Sequence, residues 1–181
     1  MTDLSLHILD IAENSINAGA KCIEINIIED EIANKISIEI KDDGHGMEKE
    51  ILDKITDPFV TTRTTRRVGL GIPLLKQAVE LCNGGLKIES EKGIGTKLII
   101  WMELFHIDRQ PLGNVMETIL TLAISEKIFN LIFSHNKNGN EFRIDLDEFK
   151  ELTSQIGIGT NEFLIFLKKY LEKEYNNFKT K

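Results

Sequence analysis

The sequence predicts an α+β protein: a two-layer sandwich of helices over a mixed, mostly antiparallel sheet, followed by a small C-terminal α+β appendage. Three observations carry that expectation. Segments 21–29 and 35–41 alternate polar and apolar residues with a period of two, and 85–90 and 96–103 read as two further strands. Stretches 3–18 and 71–82 repeat apolar residues at helical spacing. After Trp101 a linker with Pro111 and Gly113 leads into a second set of elements.

In 3–18, Leu4, His7, Ile8, Ile11 and Ser15 share one helical face, widened by Leu9 and Ile16, and Gly19 supplies the stop. Residues 21–29 and 35–41 are joined by a short polar link and read as an antiparallel hairpin. A short helix at 48–55 leads into 56–68, a stretch rich in threonine and arginine that is expected to be a mobile loop. The helix at 71–82 tolerates Pro73 because it lies in the first turn. Strands at 85–90 and 96–103 complete a first unit, residues 1–104. Residues 105–181 form the appendage: a helix near 114–127, a hairpin of 128–134 and 141–146 around Asn138-Gly139, and helices at 147–154 and 161–175.

Composition narrows the function. The formal net charge is −7, and residues 1–104 carry 12 Lys+Arg against 18 Asp+Glu. No basic stripe is present to neutralise a phosphate backbone, so nucleic acid is not expected as a partner. Cys22 and Cys82 lie far apart without metal-ligand spacing, which fits a reducing cytosol. The start, Met1-Thr2-Asp3-Leu4, is acidic where a signal peptide is basic. No apolar run reaches the roughly 20 residues that cross a bilayer. The chain is expected to be cytoplasmic and to bind no membrane.

Four patches could carry chemistry. Asp10 and Asn14 are four residues apart, hence on one helical face. Asn14 can offer an amide oxygen to Mg²⁺, and Asp10 can orient or deprotonate a water; read alone, the pair also fits a plain solvent-facing surface. Asp42 ends a strand before Asp43-Gly44-His45-Gly46-Met47. Its carboxylate can accept from the exocyclic amino group of adenine, and Gly44 and Gly46 let backbone approach a flat ring; an ordinary Asp-Gly turn explains the same letters. His45 is expected to be exposed. Gly69-Leu70-Gly71 opens a helix, whose free N–H groups and dipole favour phosphate, or else forms a hinge. Arg63, Arg66 and Arg67 add positive charge just upstream. Gly93-Ile94-Gly95-Thr96 is a hairpin turn in which Thr96 could touch phosphate or a lid.

In this order the patches resemble the GHKL family, the ATPase domains of DNA gyrase, the large heat-shock chaperone, histidine kinases and mismatch-repair proteins, over about residues 3–104. Leu9-Asp10-Ile-Ala-Glu-Asn14-Ser-Ile-Asn-Ala-Gly-Ala20 looks like its N box, Asp42 to Gly46 its first glycine box, Asp57-Pro58-Phe59 its F-box region and Gly69-Leu70-Gly71 its second glycine box. The resemblance implies a GHKL-type fold with helices on one face of the sheet, ATP or ADP as cofactor, Mg²⁺ held by Asn14, adenine read by Asp42, and a lid from about 60 to 70. Asp10 stands where hydrolysing members carry glutamate, and the lid lacks a glycine that kinase-like members have near Arg67. The wording of the first half, and the tail Asp108-Arg109-Gln110-Pro111-Leu112-Gly113, most resemble stand-alone histidine-kinase-like ATP-binding proteins of anaerobic bacteria.

The expected function is an ATP/Mg²⁺-binding, histidine-kinase-like module, acting as a regulatory switch or as a protein kinase without its own phosphoacceptor domain. His7 lies inside the N-box helix and is a poor acceptor. The alternatives are an ATP-hydrolysing conformational switch with Asp10 as base, or a non-enzymatic interaction protein that keeps the nucleotide fold. A protein partner is expected on the C-terminal segment. Ser134 to Asp145 superficially resembles a calcium loop, but serine opens it and aspartate closes it where a bidentate glutamate belongs. An Asn-Gly hairpin accounts for the same residues.

Overall fold

The computed structural model describes residues 3–56, 71–125 and 129–180, except the side chains of residues 160 and 161. In chain order the elements are α1 (Leu4–Asn17), β1 (Cys22–Asp30), β2 (Lys35–Asp42), α2 (Lys49–Leu52), α3 (Gly71–Glu80), β3 (Gly85–Glu91), β4 (Gly95–Glu103), α4 (Val115–Ala123), β5 (Asn130–Lys137), β6 (Asn140–Asp145), α5 (Leu146–Gln155) and α6 (Thr160–Lys179). Each expected helix and strand is present, with α2 (expected at 48–55) and α4 shorter and α6 longer than expected. The β5–β6 turn places Asn138 at φ 51° and Gly139 at φ 89°, the backbone of an Asn-Gly hairpin.

The strands form one sheet in the order β3-β4-β2-β1-β5-β6. β1 and β2 are antiparallel, with Ile25 opposite Ile40 and Ile27 opposite Ile38. β4 joins β2, and β3 lies beyond β4 at the edge. β5 runs parallel to β1, setting Leu131 beside Ile23 and Phe133 beside Ile25. That pair makes the sheet mixed, and it carries the sheet across residue 104, where the pattern suggested a first unit to end. Alternation tells a strand its buried face but not its neighbour, so this pairing could not be read from the sequence.

One parity of every central strand is apolar. Ile23, Ile25, Ile27, Ile36, Ile38, Ile40, Leu98 and Ile100 share a single core with Leu4, Ile8 and Ala12 of α1, Leu75 and Val79 of α3, Ile119 of α4 and Leu167 and Leu171 of α6. The other parity carries the ion pairs Lys41–Glu24 at 3.0 Å and Lys97–Glu39 at 2.9 Å, together with the apolar Ile28, Ile99 and Trp101. Helices therefore pack on one face, as a two-layer sandwich requires. No helix among the described residues is long and apolar enough to cross a membrane.

The linker does more than connect. The first free N–H groups of α1, on Leu4 and Ser5, donate to the carbonyls of Pro111 and Leu112 at 2.9 Å each. Asp3 caps the same end through Leu6 N–H at 3.1 Å. Gly113 must lack a side chain, because a Cβ there would fall 2.6 Å from the Asp3 carboxyl.

A buried polar chain joins the two halves of the sheet. His135 on β5 meets Glu29 of β1 through Nε2 at 3.1 Å and the Tyr175 hydroxyl of α6 through Nδ1 at 2.8 Å. Ionised Glu29 can only accept, so the Nε2–H donates to it. This bond holds the Glu29 carboxyl below its ordinary value, while burial, with the nearby Glu29 charge, pushes the Tyr175 phenol up. A carboxyl so lowered adds stability above the ordinary carboxylate range and loses it as pH falls through its folded value. Glu29→Gln should thus cost about 1–2 kcal/mol at neutral pH. Urea midpoints of variant and wild type should converge as the solution is made acidic, and a gap independent of pH would refute the assignment.

Candidate functional site

Asp42 is the last residue of β2 and continues the inward parity of Ile36, Ile38 and Ile40. A carboxylate at that parity needs donors. Ser15 of α1 supplies one, its Oγ donating to Oδ2 at 2.6 Å, and the Gly44 N–H supplies another to Oδ1 at 2.9 Å. Each oxygen keeps a further lone pair, so Asp42 is a fixed acceptor with capacity to spare.

The turn after Asp42 is strapped on both sides. Asp43 accepts from the N–H groups of Lys21 at 2.7 Å and Cys22 at 2.9 Å. Burial works to raise the Asp43 carboxyl, but these backbone donors outweigh it and hold it below the usual range. His45 is exposed, as expected, while its N–H donates to the Ala18 carbonyl at 3.0 Å and its own carbonyl accepts from Gly93 at 2.8 Å. Gly46 has φ 60°, and a Cβ there would overlap the Glu91 carbonyl. Met47 N–H donates to Ser90 Oγ at 2.9 Å. Gly44 is buried, with Ala18 and Asp42 crowding any Cβ. These glycines are thus demanded by the packing of the turn itself.

Asp10 and Asn14 are both half-buried on one side of α1. The Asp10 carboxylate lies against Gly71, the first residue of α3, where a Cβ would overlap its Oδ2. The packing of α1 against α3 thus brings Asp10 and Gly71 into contact. Asn14 and Asp10 offer only oxygen ligands of the hard kind, which fits Mg²⁺, a cation that takes one or two protein oxygens and shares phosphate oxygens. His7 is 3% exposed, and burial lowers its pKa. Thr96 lies opposite Asp42 in the sheet, its Oγ1 2.9 Å from Ser90 Oγ. A groove at this end of the sheet is lined mainly from the uncovered face, by Glu24, Lys41, Glu89 and Lys97, and includes Asp42, Ser90 and Thr96 but neither Asp10 nor Asn14.

Gly69, Leu70, the three arginines, the Asp57-Pro58-Phe59 segment and the expected lid lie outside the described residues. The sequence alone does not mark Ser15 and Ser90 as site residues. Both carry a signal nonetheless: Ser15 is a hydroxyl on the apolar stripe of α1, and Ser90 is a hydroxyl at the parity of Leu86 and Ile88 in β3.

Comparison with known proteins matches residues 2–106 to the family of histidine kinase-, DNA gyrase B- and HSP90-like ATPases. The sensor histidine kinase YvrG of Bacillus subtilis (strain 168) is 32% identical over 91 residues, 48% of this chain and 16% of that protein. Sporulation kinase C of the same strain is 36% identical over 88 residues, 49% of this chain and 20% of that protein. The chain therefore spans a fifth or less of the length of these relatives. Among solved structures, the N-terminal domain of a DNA repair protein is similar, with a TM-score of 0.55 and 17% identity over 80% of this chain and 52% of that one. That likeness concerns the fold alone.

The two demands on Gly46 can be separated. Gly139 also has positive φ but nothing within 4 Å of a Cβ. Gly46→Ala should lower stability in urea unfolding by more than the roughly 1 kcal/mol that backbone strain alone costs at Gly139→Ala. Equal losses would mean that the Glu91 contact contributes nothing.

Proposed function

Because the chain belongs to the histidine kinase-, DNA gyrase B- and HSP90-like ATPase family, we propose that it binds ATP or ADP with Mg²⁺ and acts as a histidine-kinase-like regulatory switch or protein kinase on an acceptor outside these residues. The observation that carries the binding half is Asp42. Two hydrogen bonds, from Ser15 and Gly44, fix its carboxylate at a strand end facing the helix that bears Asn14. An acceptor-only group in such a place suits the exocyclic amino group of adenine. Asn14 holds Mg²⁺ through its amide oxygen, and the metal, when bound, neutralises phosphate charge. Asp10 is a water-orienting group or, through Gly71, a strut between α1 and α3.

Burial of His7 supports an acceptor elsewhere, since a phosphoryl group cannot reach it. The exposed Leu152, Ile156 and Ile165 near α5 and α6 support a protein partner for the C-terminal segment. Titration calorimetry with ADP and Mg²⁺ tests the binding: Asp42→Asn should weaken ADP by about tenfold or more, and equal affinity removes Asp42 from the role. Incubation with γ-labelled ATP and cell extract tests the reaction. Label should pass to another protein, whereas steady release of free phosphate without extract favours a hydrolysing switch.

A further inference from the structure

Three side chains stand in a row on the helix-covered face at one end of the sheet. The register sets Asp42 opposite Thr96 across β2 and β4, and Thr96 opposite Ser90 across β4 and β3. Ser90 Oγ lies 2.9 Å from each of three groups: the Met47 N–H, the Gly95 carbonyl oxygen and Thr96 Oγ1. A serine hydroxyl has one proton and two lone pairs. Met47 can only donate, so it fills one lone pair. Gly95 can only accept, so it takes the proton. The remaining lone pair is left for the hydroxyl proton of Thr96.

We propose that Ser90 fixes the polarity of Thr96 in this way, and is a specificity-determining positioning residue for the base of the bound nucleotide. The inference deepens the nucleotide-binding reading above and rests on it. With its proton turned to Ser90, Thr96 Oγ1 presents only lone pairs beside Asp42, itself acceptor-only. The floor of the site then offers two neighbouring acceptors. A base edge with an exocyclic amino group supplies the donors they need. A base with a carbonyl in that place sets oxygen against oxygen and leaves acceptors unpaired, which is where polar sites discriminate most strongly. Without Ser90 the Thr96 hydroxyl is free to rotate and to donate to such a carbonyl. Thr96 is thereby assigned to the base end of the site and not to the phosphates.

Calorimetric titration with ADP and with inosine diphosphate, both with Mg²⁺, tests this on wild type, Ser90→Ala, Thr96→Val and the double variant, each checked for cooperative melting. Ser90→Ala should reduce the preference for ADP over inosine diphosphate by about tenfold. Thr96→Val should reduce it too, and adding Ser90→Ala to Thr96→Val should reduce it no further. If Ser90 only supports the Met47 turn, Ser90→Ala will weaken both nucleotides equally and leave the preference unchanged, which overturns the proposal. A Thr96→Val preference equal to that of wild type overturns it as well, even if Ser90→Ala does not fold. Wild type that binds neither nucleotide overturns the nucleotide reading itself; wild type that binds ADP while the variants keep its preference overturns only the role of Ser90.

Discussion

The hydrogen bond from Ser15 to Asp42 ties the helix that bears Asp10 and Asn14 to the end of the strand that would read a base. A carboxylate at the inward parity of a strand, next in line after three buried isoleucines, is costly unless donors meet it. Ser15 meets it from above, Gly44 from the turn, and the turn is held in place by Ala18, Gly93 and Ser90. The geometry of the site therefore follows from satisfying one charge. Its glycines are then forced by how closely the turn must approach α1 and the β3–β4 hairpin.

α1 is held at both ends by parts of the chain far away in sequence. Its C-terminal turn leads to Ala18 and Gly19, the latter at φ 77°, where the Asp42 turn docks. Its N-terminus is capped by the carbonyls of Pro111 and Leu112, and Thr118 of α4 reaches Ser5 at 3.3 Å. β5 lies against β1, and the chain Glu29–His135–Tyr175 pins α6 to both strands. The residues after 106 thus share a core and a sheet with the family-matched residues 2–106. α4 and the linker are thus bonded directly to the helix that carries Asp10 and Asn14.

Much of this was legible in the sequence, for a physical reason. Period-two alternation and helical spacing report burial, and burial is what fixes these strands and helices. Asp42 could be picked out because it is charged, ends an alternating strand and precedes glycines. Ser15 and Ser90 were harder, because a hydroxyl on an apolar face matters only through its partner, and partners come from the fold. The same limit hid the β1–β5 pairing, whose strands lie about a hundred residues apart. The Asp10–Gly71 contact depends on the packing of α1 against α3, which no local pattern records.

The central claim is that a nucleotide lies between α1 and the Asp42–Thr96–Ser90 row. Backbone hydrogen exchange with and without saturating ADP and Mg²⁺ reads this most directly. The account predicts slower exchange in 10–17, 42–47 and 90–96, with β5, β6 and α6 unchanged. No slowing, or slowing confined to 130–180, would contradict it.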